Sequence, residues 1–119
     1  MKAHVYFKKS SFNGDVKRVA EVEIPSKFNT DEALEFVYSR LQNIHGSWSM
    51  GPNFEECGGR MGLDNLDYSE AVKFVGVYPE HCDGSKMGER SMMMGDLVVL
   101  DGKTYEVAMF GFEEYKEAV

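Results

Sequence analysis

The amino-acid sequence predicts an α+β domain, in which a mostly antiparallel sheet of about five strands carries one main helix on one face. Apolar and polar residues alternate near the N-terminus and again in the last third, as they do in half-buried strands. Between these regions, one segment repeats apolar residues at three- and four-residue intervals, which is helical spacing. The length of 119 residues fits a single domain covering residues 1–119.

The N-terminal third predicts a β-hairpin. Residues 2–9 are rich in β-branched and aromatic side chains, and Asn13-Gly14 is a pair that adopts the positive φ angles of a tight reversal. In the second strand, Ala20, Val22 and Ile24 alternate with Val19, Glu21 and Glu23. Pro25 ends this strand, because proline has no N–H to contribute to a ladder.

A helix is predicted next. Asn29 or Thr30 caps it, and two acidic residues follow in the first turn, where the helix dipole favours negative charge. Gly46 stops it, since glycine readily adopts the left-handed conformation that ends many helices. The apolar stripe of this helix consists of Leu34, Val37, Tyr38, Leu41 and Ile44.

The middle of the chain, residues 46–67, is glycine-rich and long for a loop. Trp48 and Phe54 lie in it, and each either fixes the loop to the core or contacts a ligand. Residues 73–78 then predict a third strand.

The last third predicts a hairpin around Asp101-Gly102, a strong turn pair between two apolar runs. The first run is LVVL, whose mostly apolar composition predicts cover on both faces. The second run is KTYEVAMF, and Gly111 interrupts the pattern after it. The final residues, EEYKEAV, fit a short helix or a frayed tail.

Composition restricts the function classes. The net charge of −7 argues against direct nucleic-acid binding, which relies on Lys and Arg to neutralise phosphates. Cys57 and Cys82 are too few for a disulfide framework. No apolar run reaches the ~20 residues that span a bilayer, and the N-terminus does not have the pattern of a signal peptide. We therefore expect a cytoplasmic protein without membrane contact.

The sequence shows no catalytic constellation. No serine occupies the G-x-S-x-G elbow pattern, and none of the histidines (His4, His45, His81) is paired by sequence with a nucleophile. His81-Cys82 has adjacent residues rather than metal-ligand spacing, and DNLDYSE lacks the alternating ligands of a calcium loop. We predict no catalytic residue, metal or cofactor.

Candidate binding residues come from two patterns. Arg60 and Arg90 lie in glycine-rich segments, where a guanidinium offers a fork of donors to an anion. The alternative for Arg90 is a structural ion pair with Asp96. Three consecutive methionines, Met92–Met94, cannot all face inward on a regular element, and exposed methionines are adaptable contacts for proteins.

The run from Gly88 to Phe112 resembles the signature of the YodL-like domains, which reads G-R-S-x-S-x-S/G-D-V, a hydrophobic residue, a short turn and Y-x-x-D/A-S-F-G-F. The matching positions are Arg90, Ser91, Gly95, Asp96, Gly102, Tyr105, Phe110, Gly111 and Phe112. QNIHGSWS and DNLDYSEAV resemble segments of small bacteriophage proteins with the same C-terminal signature. The resemblance implies an origin in a phage or mobile element, and it brings no catalytic residues. Met93 and Met109 stand where serines are usual, which argues against a shared serine chemistry.

Two functions are compatible with these patterns. The first is a phage or mobile-element accessory protein in the host cytoplasm that binds a host or phage protein through Trp48 and Met92, Met93 and Met94. The alternative is a small enzyme or a nucleotide- or phosphate-binding domain with a site near Arg60, Arg90 and Asp96. The sequence does not predict an oligomeric state.

Overall fold

The computed structural model describes residues 1–8, 16–52, 64–78 and 88–115. These parts of the chain contain one helix and six strands, which confirms the predicted α+β class. The elements are β1 (Lys2–Lys8), β2 (Val16–Glu23), α1 (Thr30–Arg40), β3 (Val72–Phe74), β4 (Leu97–Leu100), β5 (Lys103–Val107) and β6 (Phe112–Glu114). All neighbouring strands are antiparallel, in the order β3-β2-β1-β4-β5-β6. The sheet therefore has two edges, β3 and β6.

The predicted N-terminal hairpin is present, with one irregularity. Val5 pairs with Ala20 but Tyr6 pairs with Arg18, so Val19 is an extra residue in β2. Such a bulge shifts the alternation of side chains between the two faces. Val19 and Ala20 are consequently both buried, and the prediction that Val19 shares a face with Glu21 and Glu23 is wrong. The predicted Asn13-Gly14 reversal lies outside the described residues.

Helix α1 is capped by Asn29, one of the two residues that were predicted as its cap. The Glu32 N–H donates to Asn29 Oδ1 at 2.8 Å, and the Asn29 N–H donates to Glu32 Oε1 at 3.0 Å, which forms a capping box. The helix ends at Arg40, so the predicted stripe is too long: Leu34, Val37 and Leu41 are buried but Ile44 is exposed.

The C-terminal region has one more strand than predicted. β5 ends at Val107, and Gly111, at a φ of 80°, reverses the chain so that Phe112 pairs with Val107. Glu113 and Glu114, predicted as the start of a short helix or a frayed tail, therefore lie with Phe112 in the edge strand β6. The predicted third strand is also shorter and begins earlier, at Val72.

The hydrophobic core lies between α1 and one face of the sheet. Alternate residues of β1, namely Ala3, Val5 and Phe7, point into it together with Val98 of β4. The opposite face carries His4 and Tyr6, which are half-buried. In β4, Leu97, Val98 and Leu100 are buried, in agreement with the predicted cover on both faces. No helix in the described ranges has the length and apolar character needed to cross a bilayer.

Candidate functional site

Arg90 and Asp96 form a two-pronged ion pair at the end of the sheet where β4 begins. Arg90 Nη1 lies 2.7 Å from Asp96 Oδ2, and Arg90 Nη2 lies 2.8 Å from Asp96 Oδ1. The same two nitrogens also donate to the carbonyl oxygens of Ser91 at 3.0 Å and Lys8 at 3.1 Å. Each terminal nitrogen has two N–H groups, so these four bonds use all of them. Arg90 keeps no terminal N–H for an external anion.

The carboxylate of Asp96 organises the backbone around it. It is only 1% exposed and accepts further bonds from the N–H groups of Lys8 at 3.1 Å and Met93 at 2.8 Å. The Arg90 guanidinium lies 4.3 Å from the centre of the Phe7 ring. The hydrogen bonds that Arg90 donates to Asp96 raise the pKa of Arg90 above its ordinary value, against the opposing effect of burial. The pair joins the end of β1 to the segment before β4.

This geometry bears on the predicted anion site. Arg60, the other arginine of that predicted site, lies outside the described residues. Arg90 itself is bound to Asp96 in the ion pair that the sequence offered as the alternative.

Trp48 is buried and fixes its loop to the core, which is one of the two roles expected for it. Its indole Nε1 donates to the Arg90 carbonyl oxygen at 2.7 Å. Its ring meets Phe7 and Phe74 edge to face, at centroid distances of 5.7 and 5.9 Å. Trp48 is only 2% exposed, so as a predicted binding residue it offers a partner little surface to contact. Phe54, predicted alongside it, is not among the described residues.

Two polar side chains of the DNLDYSE segment, which was considered above only as a calcium loop, hold this loop. Asp67 Oδ2 accepts the consecutive N–H groups of Ile44, His45 and Gly46 at 2.7, 2.8 and 2.7 Å. Asn65 Oδ1 accepts the Ser47 N–H at 2.8 Å, and its amide donates to three carbonyls of the same loop. We call Asn65 and Asp67 the loop clamp. The signal in the sequence was an Asn and an Asp two residues apart, which favours side-chain-to-backbone bonding.

The described polar residues do not form a catalytic group. Ser47 and Ser49 are buried with their hydroxyls 3.2 Å apart, and the Ser49 hydroxyl accepts the Glu89 N–H at 2.9 Å. Lys17 Nζ lies 2.8 Å from Glu89 Oε2. His4 faces Arg18 and Glu21 rather than a serine. The described ranges contain no cluster of metal-ligating side chains, and Cys57, His81 and Cys82 lie outside them.

The three consecutive methionines divide between core and surface. Met92 is buried, and its N–H donates to the Leu41 carbonyl oxygen at 2.8 Å. Met93 and Met94 are 53% and 59% exposed in a turn that Gly95 closes at a φ of 96°. The structure therefore leaves two of the three predicted methionines available for contact.

A second exposed apolar pair lies beside this turn. Met109 is 74% exposed and Phe110 is 90% exposed, both in the turn between β5 and β6. The Gly95 N–H donates to the Val107 carbonyl oxygen at 2.8 Å, which brings the two turns together at one end of the sheet. We call Met93, Met94, Met109 and Phe110 the end surface. Met109 and Phe110 were not among the binding residues predicted from the sequence, although an apolar pair directly before a turn glycine is a signal that could have found them.

A groove of about 220 Å³ opens next to the end surface, between α1 and the β5–β6 turn. Its lining includes Glu35 and Tyr38 from the helix, Met109 from the turn and Phe112 from β6. Tyr38 and Phe112 meet edge to face with their ring centroids 6.3 Å apart. The end surface thus continues into a concave region whose surface is partly apolar and partly polar, with one carboxylate.

Comparison with protein-family models, with curated proteins and with solved structures found no match to this chain.

Proposed function

We propose that this protein is a phage or mobile-element accessory protein that acts by binding a host or phage protein through the end surface. The observation that carries the proposal is the exposure of four large apolar side chains on two adjacent turns. Single exposed apolar residues are common on protein surfaces, whereas a contiguous group is typical of an interaction site.

The energetics favour a partner. Fully burying one such side chain stabilises a complex by about 1.5–3 kcal/mol, and this protein leaves Phe110 almost entirely in water. Methionine side chains are flexible and polarizable, so Met93, Met94 and Met109 can adapt to the shape of the surface they contact. Phe110 follows Met109 directly and is the most exposed of the four side chains, so we take it as the centre of the binding site.

The resemblance of Gly88–Phe112 to the YodL-like signature supports the assignment to a mobile element. Several matching residues build the frame of the end surface in this structure. Arg90 and Asp96 fix the turn that carries Met93 and Met94. Gly95 supplies the left-handed position of this turn, and Gly111 supplies that of the turn between β5 and β6. The signature then encodes a scaffold that presents variable residues, which is consistent with methionines at two positions where serines are usual.

The alternative of an enzyme or phosphate-binding domain has less support. Its central residue, Arg90, spends every terminal N–H on Asp96 and two carbonyl oxygens. We therefore retain protein binding as the single proposal.

Affinity capture from host lysate, quantified by mass spectrometry, tests the proposal. The test variants are Met93→Ser with Met94→Ser, and Met109→Ser with Phe110→Ser. The matched control is Val77→Ser, because Val77 is equally apolar and exposed but lies beyond β3 at the opposite edge of the sheet. We expect a partner recovered by the wild type and the control to be lost with both double variants. Equal recovery with all four proteins would remove the end surface from consideration.

A further inference from the structure

Strand β6 has backbone hydrogen-bonding groups that no described residue uses. The Ala108 N–H donates to the Gly111 carbonyl oxygen, and the Tyr115 N–H donates to the Thr104 carbonyl oxygen. Residues 111, 113 and 115 therefore face β5, and by alternation Phe112 and Glu114 point away from it. Neither residue has another backbone partner in the described ranges. An unpaired edge of this kind is a template for an additional strand.

The surroundings of this edge are apolar on one side and acidic along its length. Phe112 lines the groove described above, whose helix wall carries Tyr38 and Glu35. Glu113 and Glu114 follow along β6, on opposite faces of the sheet. Glu35, Glu113 and Glu114 are exposed, and none of them makes an ion pair with a described residue. The edge thus combines unused backbone groups, an apolar depression and uncompensated negative charge.

We propose that β6 binds an extended segment of the partner protein as a seventh strand, with an apolar residue beside Phe112 and basic residues beside Glu113 and Glu114. This inference rests on the proposed function and specifies the chemistry of the partner. Main-chain bonds to Phe112 and Glu114 supply affinity, while the groove and the carboxylates select the side chains. Lysine or arginine on the segment neutralises carboxylates that have no cation of their own.

A second copy of this chain fits the edge less well. Pairing β6 with β6 of another molecule places the glutamates of both strands close together, and like charges on neighbouring strands repel. The other sheet edge is a poorer template, because the Val72 N–H of β3 already donates to the Ser69 carbonyl oxygen. Lys73 of β3 is also exposed and would repel a basic segment.

The probe is an acetylated, amidated hexapeptide with the sequence Thr-Val-Lys-Lys-Val-Thr. It presents an apolar residue followed by two basic ones in either direction, so parallel and antiparallel addition are both sampled. Its control is Thr-Val-Glu-Glu-Val-Thr. Titrations followed by amide NMR shifts should show binding of the lysine peptide, with the largest shifts at Phe112 and Glu114. The glutamate peptide should bind at least about tenfold more weakly, and added salt should reduce the difference.

A pair of variants separates backbone pairing from charge. Glu114→Gln removes the carboxylate and keeps the N–H, whereas Glu114→Pro removes both, at an edge position where proline leaves the β5–β6 bonds intact. We expect Glu114→Gln to weaken binding about threefold and Glu114→Pro to weaken it about thirtyfold, that is, to about one tenth of the affinity of the glutamine variant. Unchanged thermal unfolding of the proline variant verifies that it is folded.

Three outcomes would overturn strand addition. They are no shift with the lysine peptide at millimolar concentration, equal affinity of the two Glu114 variants, or a concentration-dependent dimer in sedimentation that Glu114→Pro abolishes, which would assign the edge to a second copy. The proposed function would survive any of them if the methionine and phenylalanine variants of the end surface still lost their partner in the capture experiment.

Discussion

Replacing Asp96 by asparagine preserves the shape of the side chain and removes its charge. In the structure, each carboxylate oxygen accepts two N–H groups: Oδ1 from Arg90 and Lys8, and Oδ2 from Arg90 and Met93. Whichever way the new amide is oriented, its NH₂ group faces two donors. The substitution therefore costs two hydrogen bonds and leaves Arg90 without a counter-charge.

Removing one partner of a buried ion pair typically costs about 3–5 kcal/mol. The Arg90 side chain is 35% exposed, so water can solvate part of its charge, and we expect a loss of about 3 kcal/mol in the free energy of unfolding. For a chain of this size, such a loss lowers the melting temperature by roughly 10 °C or more.

Urea denaturation followed by fluorescence measures this loss, since the single tryptophan, Trp48, is buried against Phe7. Asp101→Asn is the matched control, because Asp101 is an exposed turn residue at a φ of 51°, which asparagine also tolerates. The control should change stability by less than about 0.5 kcal/mol. A loss below about 1 kcal/mol in Asp96→Asn would refute the assignment of this pair as a structural junction.

The pH dependence follows from the pKa of Arg90, which is raised in the folded protein. A raised pKa on a cation means that its stabilisation is fully present below the unfolded value and is lost as pH rises through the folded value. Even the pKa of an unfolded arginine lies far above neutral pH, so the contribution of the Arg90 charge should be constant between about pH 7 and about pH 10. If the difference in the free energy of unfolding between the wild type and Asp96→Asn fell markedly across that range, the raised pKa of Arg90 would be contradicted.

Three further predictions concern other parts of the structure. Asp67→Ala, which removes one acceptor shared by three N–H groups, should destabilise the protein by about 2–3 kcal/mol in urea denaturation, whereas Asp64→Ala should have little effect. Gly95→Ala should cost about 1–2 kcal/mol in the same assay because of its positive φ, and a neutral result would contradict the turn geometry. Dilute peroxide should convert Met93 and Met94 to sulfoxides well before Met92 in peptide mapping, and equal rates would contradict the burial of Met92.

The elements that the sequence predicted well depend on local chemistry. The Asn29 cap and the Asp101-Gly102 turn each involve residues a few positions apart, and both are where they were expected. The Arg90–Asp96 pair spans only six residues and was also visible as one of two alternatives. In these cases the residues that determine the structure are neighbours in sequence.

The features that were missed depend on distant residues. Just beyond the end of α1, the Ile44 N–H donates to Asp67, which lies 23 positions away in the sequence, and the helix does not continue through Ile44. The bulge at Val19 exists only in the pairing of two strands. The division of the methionines follows from the bond between Met92 and Leu41, which no periodicity within the run reveals.

The loop clamp gives the chain a place that can receive foreign sequence. The Asn65 N–H donates to the Pro52 carbonyl oxygen at 2.6 Å, and the Asn65 side chain binds the carbonyl of Gly51 at 2.9 Å. The described residues on either side of positions 53–63 are therefore held together by the hydrogen bonds of Asn65. Doubling the length of a connection whose ends are already fixed costs only about 0.6 kcal/mol. A longer connection between Pro52 and Asp64 would therefore add little closure entropy to the cost of folding.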